Sequence, residues 1–227
     1  MNLYLLVEGD RTEPRVYREW IKLTFPHLTG VDRLSEVTAD CYFIFRGGGY
    51  PSYIKRIKNA LADIAAHPRM DHFFVCVDSE ERSCAERLAE VQGVIEQAEA
   101  EIRVRAKHPR LQSHVIVQHC CLETWFLGHT RMMRRNPSST RLVEMKRFYD
   151  VSVNDPELMG RPSGYLTRSD FHLEYLKEML REQGKTYSKI HPGVVTESSY
   201  LDALRHRWGT TGHLSSLGRL LSTWEAL

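Results

Sequence analysis

The sequence predicts an α/β fold built on a mostly parallel, four-stranded sheet flanked by helices, with a helical C-terminal extension. Three observations carry this expectation. Short apolar runs alternate with helical patterns through the first 135 residues. Those runs are apolar throughout instead of alternating, as in strands covered on both faces. The connections between them are long enough for right-handed βαβ crossovers.

The first strand is expected at about 3–8, where Leu3-Tyr4-Leu5-Leu6-Val7 ends in Glu8-Gly9. A helix at about 14–25 follows. Pro14 lies in its first turn, where a missing N–H does no harm, and Val16, Trp20 and Leu23 give it one apolar face. The second strand, 40–45, runs into Arg46-Gly47-Gly48-Gly49, and Pro51 opens a helix with Ile54, Ile57, Leu61 and Ile64 on one side. The third strand, 72–77, ends in Asp78-Ser79-Glu80-Glu81. A helix over 82–106 then carries the stripe Cys84, Leu88, Val91, Ile95, Ala98, Ile102. The fourth strand, 114–118, leads into Cys120-Cys121-Leu122-Glu123-Thr124-Trp125.

The organisation changes after that, so the chain reads as residues 1–135 and a helical region, 136–227, packed on them. Residues 136–169 are rich in Asn, Pro, Ser, Gly and Arg and read as irregular. A helix is expected at 170–183, capped by Ser169 or Asp170 and closed by Gly184. Two more follow at 198–208 and 213–225, the last with Leu214, Leu217, Leu221 and Trp224 on one face.

Composition narrows the class without naming a function. The 227 residues are 42% hydrophobic and 26% charged, an ordinary soluble balance. A formal charge of +2 and a pI near 8.3 neither demand nor exclude nucleic acid. No apolar stretch reaches the ~18 residues of a membrane span. The chain enters its first strand with no basic leader pattern, so a cytoplasmic protein with no membrane partner is expected. The five cysteines lack CxxC spacing and are expected as buried, reduced thiols.

The acids at strand ends carry the chemistry. In open α/β sheets, sites form just outside the carboxyl ends of the strands. Glu8 and Asp78 both fall there, with Glu80 and Glu81 in the following turn. Magnesium takes oxygen ligands and keeps several waters, so one or two carboxylates suffice. On an extended backbone Asp78 and Glu80 would share a side. The plain alternative is that such acids cap helices.

These residues resemble a known family. Val7-Glu8-Gly9-x-x-Thr12-Glu13-Pro14 is similar to the opening of RloB-like proteins, a branch of the Toprim-like superfamily related to the Toprim domains of OLD-family nucleases. Asp78-x-Glu80-Glu81 resembles the acidic Toprim motif, with Glu80 where Asp is usual. Cys121-Leu122-Glu123-Thr124-Trp125-Phe126-Leu127-Gly128-His129 resembles the segment after the fourth strand in such proteins. The resemblance implies a Toprim fold over 1–135 and Mg²⁺- or Mn²⁺-dependent cleavage of phosphodiester bonds in DNA or RNA. Glu8, Asp78 and Glu80 would be the metal ligands, and Glu8 also a general acid or base. Glu123 would hold a second metal or orient the site. Tyr187-Ser188-Lys189 matches a late tyrosine and lysine of related proteins, which makes Lys189 a candidate catalytic cation. The implied setting is phage defence beside a partner ATPase. The alternative is a Toprim-fold binding or regulatory subunit of such a complex, without catalysis.

Other motifs are weaker. Arg46 with Gly47-Gly48-Gly49 would approach a phosphate or form a simple permissive turn. Arg131, Arg134 and Arg135 form a basic concentration suited to a nucleic-acid backbone, and equally ordinary as a solvated helix end. His119-Cys120-Cys121 does not read as a zinc site, because neighbouring residues on a strand face opposite ways and zinc sites need four ligands at loop-like spacings.

Overall fold

The structure is a computed structural model, and it describes residues 1–67 and 69–227. The chain is α/β, with a five-stranded, all-parallel sheet in the order β2-β3-β1-β4-β5. The strands are β1 (Leu3–Val7), β2 (Thr29–Val31), β3 (Cys41–Arg46), β4 (His72–Asp78) and β5 (Gln112–Gln118). The expected sheet had four. The added strand, β2, is three residues long and mostly exposed, so it has no apolar run to betray it. It pairs Thr29, Gly30 and Val31 with Cys41, Tyr42 and Phe43. A Cβ on Gly30 would lie 2.7 Å from the Tyr42 ring, which would have to shift to admit it.

Two compact units divide the chain. The first comprises Met1–Val77 and Cys84–Val117 and holds the body of the sheet. Its core gathers Tyr4 and Leu6 of β1, Phe73, Val75 and Val77 of β4, and Ile57, Leu61 and Ile64 of helix α2 (Ser52–Ala66). Helix α1 (Thr12–Thr24) buries Val16 and Trp20 as expected, but Leu23 is 41% exposed. The face closes instead on Tyr17 and Ile21, one helical turn apart. The long helix read over 82–106 is two: α3 (Cys84–Ile102) and α4 (Val104–Lys107). Arg103 breaks it with a left-handed φ of +57°.

The second unit comprises Asp78–Ser83 and Gln118–Leu227. It contains α5 (Leu122–Phe126), α6 (Thr140–Phe148), α7 (Arg168–Glu182), α8 (Ser198–Thr211) and α9 (Ser215–Glu225). Helix α6 falls in the stretch expected to be irregular. It buries only Leu142 and Met145, too few apolar positions to reveal a period. Helix α7 starts two residues earlier than expected. Thr167 is its cap, and Asp170 is the reciprocal partner, with Asp170 N donating to Thr167 Oγ1 at 3.0 Å. Gly184 closes it at φ +68°.

One buried acid organises this unit. Glu157 accepts from Ser216 N at 3.0 Å and from Ser216 Oγ at 2.5 Å, at the N-terminus of α9. A carboxylate there satisfies helix donors and the helix dipole together. Ser216 Oγ in turn accepts from Trp125 Nε1 at 2.7 Å and His119 N at 3.1 Å. The loop after β5 is therefore fixed through α9. Leu214, Leu217, Leu221 and Trp224 are all buried, as their spacing predicts. Among the described residues, no helix is long and apolar enough to cross a membrane.

Candidate functional site

Sheet topology singles out one edge. The chain leaves β1 toward β3 and leaves β4 toward β5, so the connections diverge between β1 and β4. That divergence is a topological switch point, where open α/β sheets leave a crevice beyond the strand ends. The two strands are parallel and in register, with Leu3 beside His72 and Val7 beside Cys76. Glu8 N–H continues the ladder, donating to Cys76 O at 3.0 Å. Glu8 follows β1 directly and Asp78 is the last residue of β4.

In the first unit Glu8 is 7% exposed. Its surroundings include a cation that the sequence reading missed. Arg87 is 2% exposed, donates to Glu90 at 2.6 Å and to the Tyr53 hydroxyl at 3.3 Å, and lies 5.0 Å from the centre of the Tyr50 ring. Burial opposes the Arg87 charge, but Tyr53, Glu90 and Glu8 together raise its pKa. Burial pushes the Tyr53 hydroxyl up, Arg87 counters, and Glu8 adds to the rise. Glu8 thus acts electrostatically on both. The signal was present: Arg87 stands between Cys84 and Val91 at helical spacing, a charge on the buried face of α3.

The glycine turn after β3 is structural. Gly47 N donates to Val7 O at 2.7 Å, Gly49 N to Glu8 O at 2.9 Å, and Gly48 N to the Asp10 carboxylate at 3.1 Å. Its N–H groups are spent on the end of β1 and the following turn, which disfavours a phosphate cradle. A Cβ on Gly47 would lie 2.7 Å from both Val7 O and Glu8 O. Arg46 is exposed, in a shallow groove shared with Arg18, Arg56 and Asp10.

In the second unit the acidic turn is not extended. Glu80 has a φ of +52°, so the side-to-side alternation expected for Asp78 and Glu80 stops at the end of β4. The turn is bound to the loop after β5. Ser79 N donates to Gln118 O at 2.8 Å, Cys120 N to Ser79 Oγ at 2.8 Å, and Glu80 N to Cys120 O at 2.9 Å. Glu80 and Glu81 are exposed. Glu81 pairs with Arg168, the first residue of α7, at 3.2 Å and accepts from its backbone N–H at 2.7 Å.

Glu123 is 4% exposed on α5 and accepts from the Tyr187 hydroxyl at 2.8 Å. The two late segments singled out in the sequence therefore meet through one hydrogen bond. Lys189, two residues on, is exposed. Arg131, Arg134 and Arg135 are exposed too, and the carbonyls of Arg134 and Arg135 accept from Lys146 Nζ at 3.0 and 2.8 Å.

A different donor set is buried nearby in sequence. Among the described residues, the one group of three His, Cys, Asp or Glu side chains close enough to share an ion is Cys120, Cys121 and His172. A hydrogen bond from Cys121 holds the Cys120 thiol well below its usual range against the effect of burial, with His172 and Ser169 assisting. The same bond, with burial, pushes Cys121 up. All five cysteines are free thiols, and all but the half-buried Cys84 are buried.

No family model matches the chain, and neither a curated protein nor a solved structure matches it. The class defined by fold and edge is an α/β protein with acids at the switch point of a parallel sheet.

Proposed function

We propose that the chain is a Toprim-type, Mg²⁺- or Mn²⁺-dependent phosphodiesterase acting on nucleic acid. One observation supports it above the others: β1 and β4 are parallel neighbours with an acid at each carboxyl end, Glu8 directly after β1 and Asp78 as the last residue of β4. The donors suit a hard cation, which needs only one or two carboxylates and keeps its waters. When bound, such an ion would polarise the phosphodiester and supply an activated water. Asp78 would hold it, with Glu80 reaching it directly or through water. Glu8, in the field of Arg87, would ligate or accept a proton from the attacking water. Arg46 and the Arg131, Arg134 and Arg135 group would contact the nucleic-acid backbone, and Lys189 the transferred phosphate. Action beside a partner ATPase in phage defence follows from the resemblance to RloB-like proteins.

The test is incubation with plasmid, linear DNA and total RNA in Mg²⁺ or Mn²⁺. Wild type should cleave at least one substrate, and Glu8→Ala and Asp78→Ala should not. Cleavage unchanged in both variants would defeat the proposal.

A second reading, a non-catalytic binding or regulatory subunit, is favoured by Arg87. A buried guanidinium in the field of Glu8 can serve that carboxylate in place of a metal. Calorimetric titration separates the two: heat of Mg²⁺ or Mn²⁺ binding that vanishes in Asp78→Ala supports the enzyme, and its absence in wild type at millimolar ion supports the subunit.

A further inference from the structure

We propose that Cys120, Cys121 and His172 form a buried site for a thiolate-seeking d¹⁰ metal ion, Zn²⁺ or Cu⁺, separate in chemistry from the acids at the sheet edge. The side chains offer two sulfurs and one imidazole nitrogen, all within 4.8 Å of one another. Around a tetrahedral zinc with Zn–S of ~2.3 Å and Zn–N of ~2.05 Å, donor atoms lie about 3.6–3.8 Å apart, so side-chain adjustments of an ångström or less close the site. Thiolate and imidazole select zinc or Cu⁺ and disfavour magnesium and calcium. The three residues are buried, as suits a closed structural centre.

The backbone explains why two adjacent cysteines can cooperate. β5 ends at Gln118, and Cys120 takes a left-handed φ of +62° while Cys121 is extended at φ −152°. The strand alternation that would send the thiols to opposite faces is therefore absent. A non-glycine residue in the left-handed region carries a conformational cost and has to be held by its surroundings. The hydrogen bonds from Cys120 N to Ser79 Oγ and from Glu80 N to Cys120 O hold it.

The histidine has the partner a ligand needs. His172 Nε2 lies 3.1 Å from Met159 O, a carbonyl that can only accept, so Nδ1 is the ring nitrogen left to meet a metal. Metal-binding histidines are characteristically fixed by such a bond from the other ring nitrogen to a carbonyl or carboxylate. Nδ1 lies 2.7 Å from Thr124 Oγ1, and Thr124 Oγ1 lies 3.6 Å from Cys121 Sγ. Ser169 Oγ lies 3.5 Å from Cys120 Sγ. A hydroxyl from Thr124 or Ser169, or a water, would complete four-coordinate zinc. Cu⁺ would need only the three protein donors.

Cobalt reports on the site directly. The full chain, reduced and stripped of metal, is titrated with Co²⁺. One equivalent should give a near-ultraviolet thiolate-to-cobalt charge-transfer band and the intense visible bands of tetrahedral cobalt, both bleached by one equivalent of Zn²⁺. Competition against chromophoric chelators, run separately for Zn²⁺ and Cu⁺, identifies the preferred ion. Cys84→Ser should leave the spectrum intact. Cys121→Ala and His172→Ala should each weaken binding by at least ~100-fold, more than is lost with an outer-shell partner. A wild-type chain that shows no charge-transfer band and competes with neither chelator overturns the site, whether or not the variants fold. A band that persists in Cys121→Ala, with circular dichroism unchanged, overturns it as well. Nuclease activity is not a readout here, so either proposal can fail alone.

Discussion

The sheet edge and the loop after β5 both gather potential ligands, and they differ in donor and in access. At the edge the donors are carboxylate oxygens, and Glu80 and Glu81 stand in solvent. In the loop they are two sulfurs and an imidazole, all buried. Openness and donor type go together for a physical reason. A hard ion that keeps its waters needs solvent and room for a substrate phosphate. A soft ion held by thiolates contributes binding energy to the fold and is best closed from water. On the two proposals above, the acids would be where this chain meets a substrate, and the thiols where a closed metal centre would help hold the fold.

The sharpest break in this comparison comes from the edge. Glu8→Ala and Asp78→Ala should each lower metal-dependent cleavage by at least ~100-fold, more than the roughly 10–100-fold lost with an outer-shell partner. Initial rates on the best substrate check this, with urea midpoints showing that the fold survives. A loss confined to the edge variants, with Cys121→Ala near wild type in rate, would separate the two regions.

The next effect lies in the framework of the second unit. Glu157→Ala removes a charged acceptor from Ser216, on which Trp125 and His119 depend. It should cost roughly 1.5–3 kcal/mol, the range for hydrogen bonds to charged groups. A lower urea midpoint at unchanged m-value is the expected result. Gly218→Ala belongs to the same region, since its new Cβ would overlap the Trp208 ring. Overpacking of this kind should cost about 1–3 kcal/mol by the same measurement.

Tyr187→Phe tests the bond to Glu123. Leaving a buried carboxylate without that donor should cost ~1–3 kcal/mol. If the tyrosine only orients Glu123, cleavage should fall with little change in substrate affinity.

The smallest effect is a pH dependence that His114 gives the first unit. Burial, with His72 adding to it, lowers the His114 pKa from 6.5 to about 4, and the ring stacks 4.6 Å from Phe74. The unfolded chain therefore binds the proton more tightly than the fold does. This contribution is fully present above pH 6.5 and is lost as pH falls from 6.5 through about 4. Urea midpoints should decline across that window, and His114→Phe should flatten the decline.

Much of the fold was legible because burial on both sheet faces demands apolar runs. Four strands, the helices between them and the Leu214–Trp224 face follow from that demand. β2 and α6 were hidden for the converse reason, since neither buries enough apolar surface to set a period. Glu8 and Asp78 were legible because they close apolar strands. Arg87 was hidden because one charge in a helical stripe reads as solvated until the opposing face is seen. Cys120 and Cys121 were assigned opposite faces by a strand rule, but β5 ends at Gln118 and Cys120 takes a left-handed φ.

The amino-acid sequence by itself determined the α/β class, the position of acids at strand ends and the capped, amphipathic helices. These depend on local periodicity and on chemistry carried within a few residues. Only the tertiary structure decided that β1 and β4 are neighbours across a switch point, and that His172 meets the thiols of Cys120 and Cys121 from far along the chain. Pairing order and long-range convergence arise from packing between distant segments, and no local pattern encodes them.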